Sequence, residues 1–334
     1  MTKKVYAYKN NKSELMKSSS GGAFIALCKA FELKFGQSNV AFCGAAFDEN
    51  LEVTHQCVFS THQCGIFQGS KYVRSNCNYI FPYLKDIIKD GKYLLFSGTP
   101  CQVYAFNKYL EKENIEKNKV ITIDIICHGT PKKEIWEDYK IWIESKAKSK
   151  LDDYSFRYKP EGWKAYPAYA RFENGKKMIN TSQTSVYSKL HLSGYSINKG
   201  CFSCSFSKEE RIGDITLGDY WGVEKTFPDI DKKNGVSLIL VNSAIGLKLI
   251  ECIAEGEAVL RECKDKIYLK YQHNLNRPTV QPDDYQKFWD DYQKFDFETM
   301  LKKYIGYGIK YKLIYKIKKF VRKTPIIEWY RSKK

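Results

Sequence analysis

The chain has 334 residues, 43% of them hydrophobic and 28% charged, with an aromatic share of 15%. That length is enough to bury a substantial core, and the composition is that of a globular protein instead of a small disulfide-stapled scaffold. The net charge of +17 is concentrated, because residues 300–334 hold twelve Lys or Arg against one acid, Glu328, so it describes a tail and argues for no fold. No apolar leader follows Met1-Thr2-Lys3-Lys4, and no apolar run nears the ~18 residues of a spanning helix. The expected compartment is therefore the cytoplasm, with a peripheral position at the inner membrane face left open by the tail. Thiols stay reduced there, so the eleven cysteines point to buried thiols or metal ligation.

The first half reads as strands alternating with helices. An apolar stretch at 23–35 has helical length, and 39–47 (NVAFCGAAF) reads as a buried strand. A helix is expected within 77–89, where Ile80, Leu84, Ile87 and Ile88 have helical spacing. A strand at 93–97, a break at Gly98-Thr99-Pro100 and a helix at 101–110 follow. The pattern repeats as a strand at 120–126 (VITIDII), a break at 128–131 and a helix at 132–145. From about 151 the texture becomes aromatic and short. Strands are expected at 154–158 and 168–172, followed by a hairpin turn at Glu173-Asn174-Gly175. Two further strands at 214–218 and 237–241 (SLILV) precede a helix at 246–253. The expected class is α/β: a mixed, largely parallel sheet with helices, a β-rich second region and a basic C-terminal helical tail. The divisions expected are 1–150, 151–270 and 271–334.

Cys101 lies just beyond the strand at 93–97, and Cys127 ends the strand at 120–126. If these strands are parallel neighbours, both thiols emerge at the carboxyl edge of one sheet, where open α/β sheets bind ligands. Cys201-Phe202-Ser203-Cys204 adds two sulfurs within reach of one centre. Four thiolates bind either zinc or an iron–sulfur cluster. One close pair joined to two isolated cysteines fits a cluster better than structural zinc, which normally uses two close pairs. Cys28 and Cys43 are expected in the core. Cys57, Cys64 and Cys77 lack close pairing, and Cys252 and Cys263 suggest no chemistry.

Several segments together resemble the coenzyme F420 hydrogenase/dehydrogenase beta-subunit family, in the bacterial branch associated with polysaccharide gene clusters. They are SSSGGAF at 18–24, GSKYVRS at 69–75, GTPCQ at 98–102, ICHG at 126–129, CFSC at 201–204, GDITLGDYWG at 213–222 and GVSLILVN at 235–242. They run in family order over about residues 5–260. The resemblance implies FAD beside a [4Fe–4S] cluster, with Cys101, Cys127, Cys201 and Cys204 as the cluster ligands. It implies cofactor contacts from Ser19, Ser20, Gly21, Gly22, Ser70, Lys71, Tyr72, Ser75, Thr99, Asp214, Thr216, Gly218 and Asp219. Many bacterial relatives begin with a ferredoxin-like module. This chain is expected to start after it, so a separate ferredoxin-type protein would exchange the electrons. Nothing in the sequence identifies a deazaflavin site.

The same residues have readings of their own. Ser18 to Gly22 before a helix offer N–H groups, hydroxyls and a positive dipole end to a pyrophosphate, or an ordinary serine N-cap. Lys71 and Tyr72 are a cation and an aromatic face for a flavin, or a surface lysine and a core tyrosine. Asp219 orients Trp221 or bonds a ribose, or is a turn aspartate. His128 transfers protons or caps a helix, and Trp163 is core or cofactor wall. In the tail, Lys302, Lys303, Lys310, Lys312, Lys316, Lys318, Lys319, Arg322 and Lys323 are interleaved with apolar residues. That is the pattern of a basic amphipathic helix for a membrane surface or a partner, or of a solvated helix packed on the body, and no nucleic-acid fold accompanies it.

The expected function is a flavin and iron–sulfur oxidoreductase passing electrons between an organic substrate, by analogy a glycan precursor, and a ferredoxin-type partner. The rival is a non-enzymatic metal-binding scaffold that docks glycan-assembly proteins at the membrane.

Overall fold

The computed structural model describes residues 4–163, 167–253 and 258–322. Its eleven strands are β1 (Lys4–Lys9), β2 (Val40–Phe47), β3 (Val53–Val58), β4 (Tyr93–Gly98), β5 (Val120–Ile125), β6 (Leu151–Ser155), β7 (Tyr169–Phe172), β8 (Lys177–Ile179), β9 (Ile215–Asp219), β10 (Ser237–Val241) and β11 (Val259–Cys263). Eight form one sheet in the order β11-β1-β10-β9-β5-β4-β2-β3, and β6, β7 and β8 form a second, antiparallel sheet. The four central strands β9, β5, β4 and β2 are mutually parallel, and antiparallel strands extend the sheet on both sides. The mixed α/β class and the smaller β-rich unit are those read from the sequence.

The parallel centre follows from its residues. β4 and β5 are runs of Leu, Phe, Val and Ile buried on both faces, as a covered parallel strand requires. One face carries the helix Ala23–Phe35, whose Ile25, Leu27 and Phe31 pack on Phe42, Leu95, Ile121 and Ile239. The other carries the helices Phe81–Lys89 and Pro100–Lys112, with Leu84, Ile88, Val103 and Phe106 against Leu94 and Phe96. Cys28, Cys43, Cys64 and Cys77 are buried in these layers and Cys57 is half-buried. In the smaller sheet the hairpin forms at the expected turn, with Gly175 at φ 78 and its N–H on the Phe172 carbonyl at 2.8 Å.

Two expected boundaries do not separate structural units. β9, β10 and β11 lie past residue 150 yet complete the large sheet, because β9 pairs with β5 and β10 and β11 both pair with β1. Residues 285–307 are not a tail. Phe288, Met300, Leu301, Ile305 and Tyr307 are buried with Trp136, Tyr139, Trp142 and Tyr187 in the core beneath the smaller sheet. Their apolar side chains recur on one face of the helices Tyr285–Tyr292 and Phe297–Ile305, among polar residues that hid the pattern. Beyond them stands one basic helix, Ile309–Arg322. Residues 323–334 of the expected tail lie outside the described residues.

Candidate functional site

The four selected cysteines come from adjoining strand ends and the loop that closes over them. Thr99 caps the helix after β4 in a capping box with Gln102, which sets Cys101 in the exposed first turn. Ile126 extends β5 by one bond, its N–H on the Leu217 carbonyl at 2.8 Å, and Cys127 follows half-buried. The backbone then turns through Gly129 at φ 107. Thr130 and Lys132 pair with the chain at 196–198: Asn198 N–H reaches the Thr130 carbonyl at 3.0 Å, and Lys132 N–H the Ser196 carbonyl at 2.8 Å. This pairing carries Cys201 and Cys204 toward Cys127 on a short 3-10 turn, Lys199–Ser203.

Burial pushes the Cys127 thiol up to about 12, the Gly129 N–H opposes this, and the charges of Cys101, Cys201 and Cys204 add to the rise. Donors to sulfur are also present. Gly129 N–H lies 3.3 Å from Cys127 Sγ, and Thr99 Oγ1 lies 3.1 Å from Cys101 Sγ. Such bonds to sulfur are among the means by which proteins tune iron–sulfur centres. Among the described residues, no three His, Cys, Asp or Glu side chains close on a single-ion site.

Beside the thiols lies a cavity of about 530 Å³ at the carboxyl ends of β4, β5 and β9. This is the ligand position of an open α/β sheet. Ser19, Ser20, Gly22, Ser70, Lys71, Tyr72, Ser75, Thr99, Gly218, Asp219 and Cys127 of the sequence-selected set line it. The helix Ala23–Phe35 points its first turn into the cavity with Gly22 as N-cap at φ 83 and no side-chain cap. The serines serve elsewhere: Ser19 Oγ accepts from Ser70 N–H at 2.6 Å, and Ser20 Oγ donates to the Val236 carbonyl at 2.9 Å. The ordinary serine N-cap is thus replaced by a glycine cap; the Ala23 N–H turns to Ser237 Oγ at 3.5 Å, and the rest of the first turn presents its positive dipole end to the cavity.

Other selected residues have settled partners. Lys71 Nζ donates to the carbonyls of Ile66, Gln68 and Gly69 at 2.8, 3.0 and 3.3 Å, and burial lowers its pKa to about 7. Tyr72 stacks on His191 with ring centroids 5.1 Å apart. Ser75 is buried between His55 Nδ1 at 3.0 Å and Gln102 Nε2 at 2.9 Å. Asp219 Oδ2 accepts from Arg157 at 2.8 Å and Oδ1 from Trp163 Nε1 at 3.1 Å. Asp219 therefore orients Trp163, and Trp163, largely buried, stacks on the cavity-lining Trp221 with centroids 4.5 Å apart.

Gly21, Asp214 and Thr216 do not line the cavity. A Cβ at Gly21 would stand 2.1 Å from the Tyr8 carbonyl, so this glycine permits the loop to cross β1 closely. Asp214 accepts from Thr122 N–H and Oγ1, both at 2.8 Å, and Thr216 Oγ1 accepts from Asn242 at 3.0 Å. Both hold the sheet together.

Four residues of the site escaped the sequence. Lys159 is buried, donates to the carbonyls of Leu15 (2.7 Å) and Ser20 (2.5 Å), and is lowered by burial to about 7. Arg157 holds Asp219. Arg211 sits in a polar run that reads as surface, yet its buried side chain meets the buried Asp124 carboxylate at 3.3 Å. His191 lies edge-on to His128 at 5.3 Å, and both line the cavity. Burial, then the neighbouring His128, lowers His191 to about 3, and burial also lowers His128. Among the described residues, His128 Nε2 and His191 Nδ1 are buried with no hydrogen-bond partner, which suits a polar ligand group between them. No local pattern marks these four, since their partners are far away in sequence. His128 caps no helix: Lys132 is the N-cap of the following one.

A family model for the C-terminal part of the coenzyme F420 hydrogenase/dehydrogenase beta subunit matches residues 91–266. No curated protein matches. Among solved structures the chain is similar to one in the xenon-derivatised F420-reducing [NiFe] hydrogenase complex from Methanosarcina barkeri. The two share 16% identity over 88% of this chain and 93% of that one, with a TM-score of 0.53, a likeness of fold.

Proposed function

The chain belongs to the coenzyme F420 hydrogenase/dehydrogenase beta-subunit family, and so to a class of oxidoreductases; from that premise we propose that it is an electron-transfer enzyme holding a [4Fe–4S] cluster on Cys101, Cys127, Cys201 and Cys204 and FAD in the adjoining cavity. The observation that carries the reading is Cys127. It lines the cavity and lies close enough to Cys101, Cys201 and Cys204 for their ionisation to raise its pKa, which supports a cluster beside the flavin.

Bound there, the flavin supplies two-electron exchange with an organic substrate, and the cluster supplies single-electron exchange with a ferredoxin-type partner. The protein's own groups divide the remaining work. The first turn of the helix Ala23–Phe35, with its glycine N-cap, receives the phosphates. Tyr72 and Trp221 supply flat apolar walls. His128 and His191, held neutral by burial, offer ring nitrogens to a polar ligand group. The exposed first turn carrying Cys101 leaves the cluster side open to a partner protein. A cytoplasmic setting, where thiols stay reduced, is part of the proposal. So is a glycan precursor as the substrate, which rests on the family branch alone.

Anaerobic purification tests it. The account expects a brown protein with about four irons and one FAD per chain. A colourless protein with zinc and no flavin overturns it and returns the scaffold reading.

A further inference from the structure

The basic helix Ile309–Arg322 is held to the body through one stripe of polar contacts. Tyr311 OH lies 2.8 Å from Ser185 Oγ, Tyr315 OH donates to Asn180 Oδ1, and Lys319 Nζ reaches the Ile179 carbonyl at 2.8 Å. These three residues are spaced by four and form a single stripe. They fix the rotation of the helix, so what stands on the opposite side is determined.

That side is mostly apolar, with the exposed Lys310 set among its aliphatic residues. Ile309, Leu313, Ile317 and Phe320 are 87%, 57%, 53% and 72% exposed, and Ile314 widens the same arc. A helix that packs on its own body by an apolar face would show the reverse arrangement. Here tyrosines face the body and aliphatic side chains face outward, and exposed apolar surface of this kind marks an interaction site.

Charge decides the occupant. The fourteen residues of this helix include six Lys or Arg and no acid. Lys312 and Lys316 follow one edge of the apolar arc, and Lys318 follows the other. Long cationic side chains on both edges of an apolar face suit an interface where stems lie in hydrocarbon and ammonium groups rise to phosphates. A nucleic acid would cover the lysines but leave the aliphatic face in water. Among the described residues no helix is long and apolar enough to cross a membrane, so the contact is with a surface.

We propose that Ile309–Arg322 docks the protein on an anionic phospholipid bilayer, lying in the plane of the interface with Leu313, Ile317 and Phe320 at the acyl boundary. The redox centre then works next to a membrane, within reach of a lipid-linked or membrane-bound substrate. The docking stands independently of the cofactor assignment.

The purified full chain is tested by co-sedimentation with vesicles of phosphatidylcholine alone and of phosphatidylcholine mixed with phosphatidylglycerol. The expected result is binding to the mixed vesicles, at least ~10-fold weaker binding to the neutral ones, and release by salt. Replacing Leu313→Ser, Ile317→Ser and Phe320→Ser together abolishes binding while the melting temperature holds, because these side chains support no core. Lys316→Gln and Lys318→Gln each weaken binding about fivefold. Equal binding to both vesicle types, or to neither, overturns the proposal. So does loss of self-association in the triple variant without loss of vesicle binding, and so does retardation of a DNA duplex by a chain that ignores vesicles.

Discussion

The Arg211 guanidinium and the Asp124 carboxylate meet at 3.3 Å with both side chains almost wholly buried. The contact joins the loop after Cys201-Phe202-Ser203-Cys204 to the strand that ends at Cys127. Arg211 also donates to the carbonyls of Phe206 at 2.8 Å and Ile125 at 3.0 Å, and Asp124 Oδ2 accepts from Gly213 N–H at 3.2 Å. Two of the three segments carrying the cysteines are thereby fastened to each other through the core of the sheet.

Removing one member of this pair leaves an uncompensated buried charge. Asp124→Leu and Arg211→Met singly are expected to cost about 3–5 kcal/mol each in urea unfolding and to lower the iron content. The double variant, with no charge left to strand, is expected to recover part of the stability but not the iron.

Gly129→Ala tests the turn between Cys127 and Cys201. Its φ of 107 strains any side chain, and a Cβ there would stand 2.8 Å from Ile197 Cγ2 and 3.2 Å from Cys201 Cβ. The expected result is loss of most of the bound iron with flavin retained, read from metal analysis and the flavin spectrum.

The legible parts of the fold were those whose signal is local. β10 was read at its observed bounds from SLILV, and the helix Ala23–Phe35 from its apolar length. Cys101 and Cys127 could be placed because the strands before them are mostly apolar runs ending in a break. β1 (KVYAYK) was not read, since its apolar core is only four residues long between Lys4 and Lys9, and its strand partners β10 and β11 lie more than two hundred residues away. Lys159, Arg157 and His191 were hidden for the same reason: their partners Ser20, Asp219 and Tyr72 belong to distant segments. Asp124 lay inside a strand as an unexplained polar residue, and its partner Arg211 looked like solvated surface. A charged residue inside a buried strand is itself a signal that a partner exists, and that signal was available in VITIDII.

His55 confers an acid sensitivity. Burial lowers its pKa to about 4, and the Ser97 carbonyl at 3.0 Å, accepting from Nε2, opposes this only in part. Because the folded value lies below the unfolded value of about 6.5, the unfolded chain takes the proton first as pH falls. Stability is full above pH ~6.5 and declines down to pH ~4, by about 2–3 kcal/mol at pH ~4.5. Urea midpoints across that range are expected to fall more steeply in the wild type than in His55→Gln. Parallel slopes would remove His55 as the cause.

Lys159→Met removes the donor that holds the loop carbonyls of Leu15 and Ser20. Flavin affinity is expected to fall ~10-fold or more, as the loss of a charged hydrogen-bond donor costs about 1.5–3 kcal/mol, with iron unchanged. Fluorescence titration of the flavin-free protein with FAD reads this directly.

The most direct test of the account is electron paramagnetic resonance of the dithionite-reduced full chain and its cysteine variants. A reduced [4Fe–4S] signal is predicted in the wild type, in Cys43→Ser and in Cys252→Ser, with loss or marked alteration in Cys101→Ser, Cys127→Ser, Cys201→Ser and Cys204→Ser. An unchanged signal in all four of the latter, or its disappearance in Cys43→Ser or Cys252→Ser, would contradict the assignment.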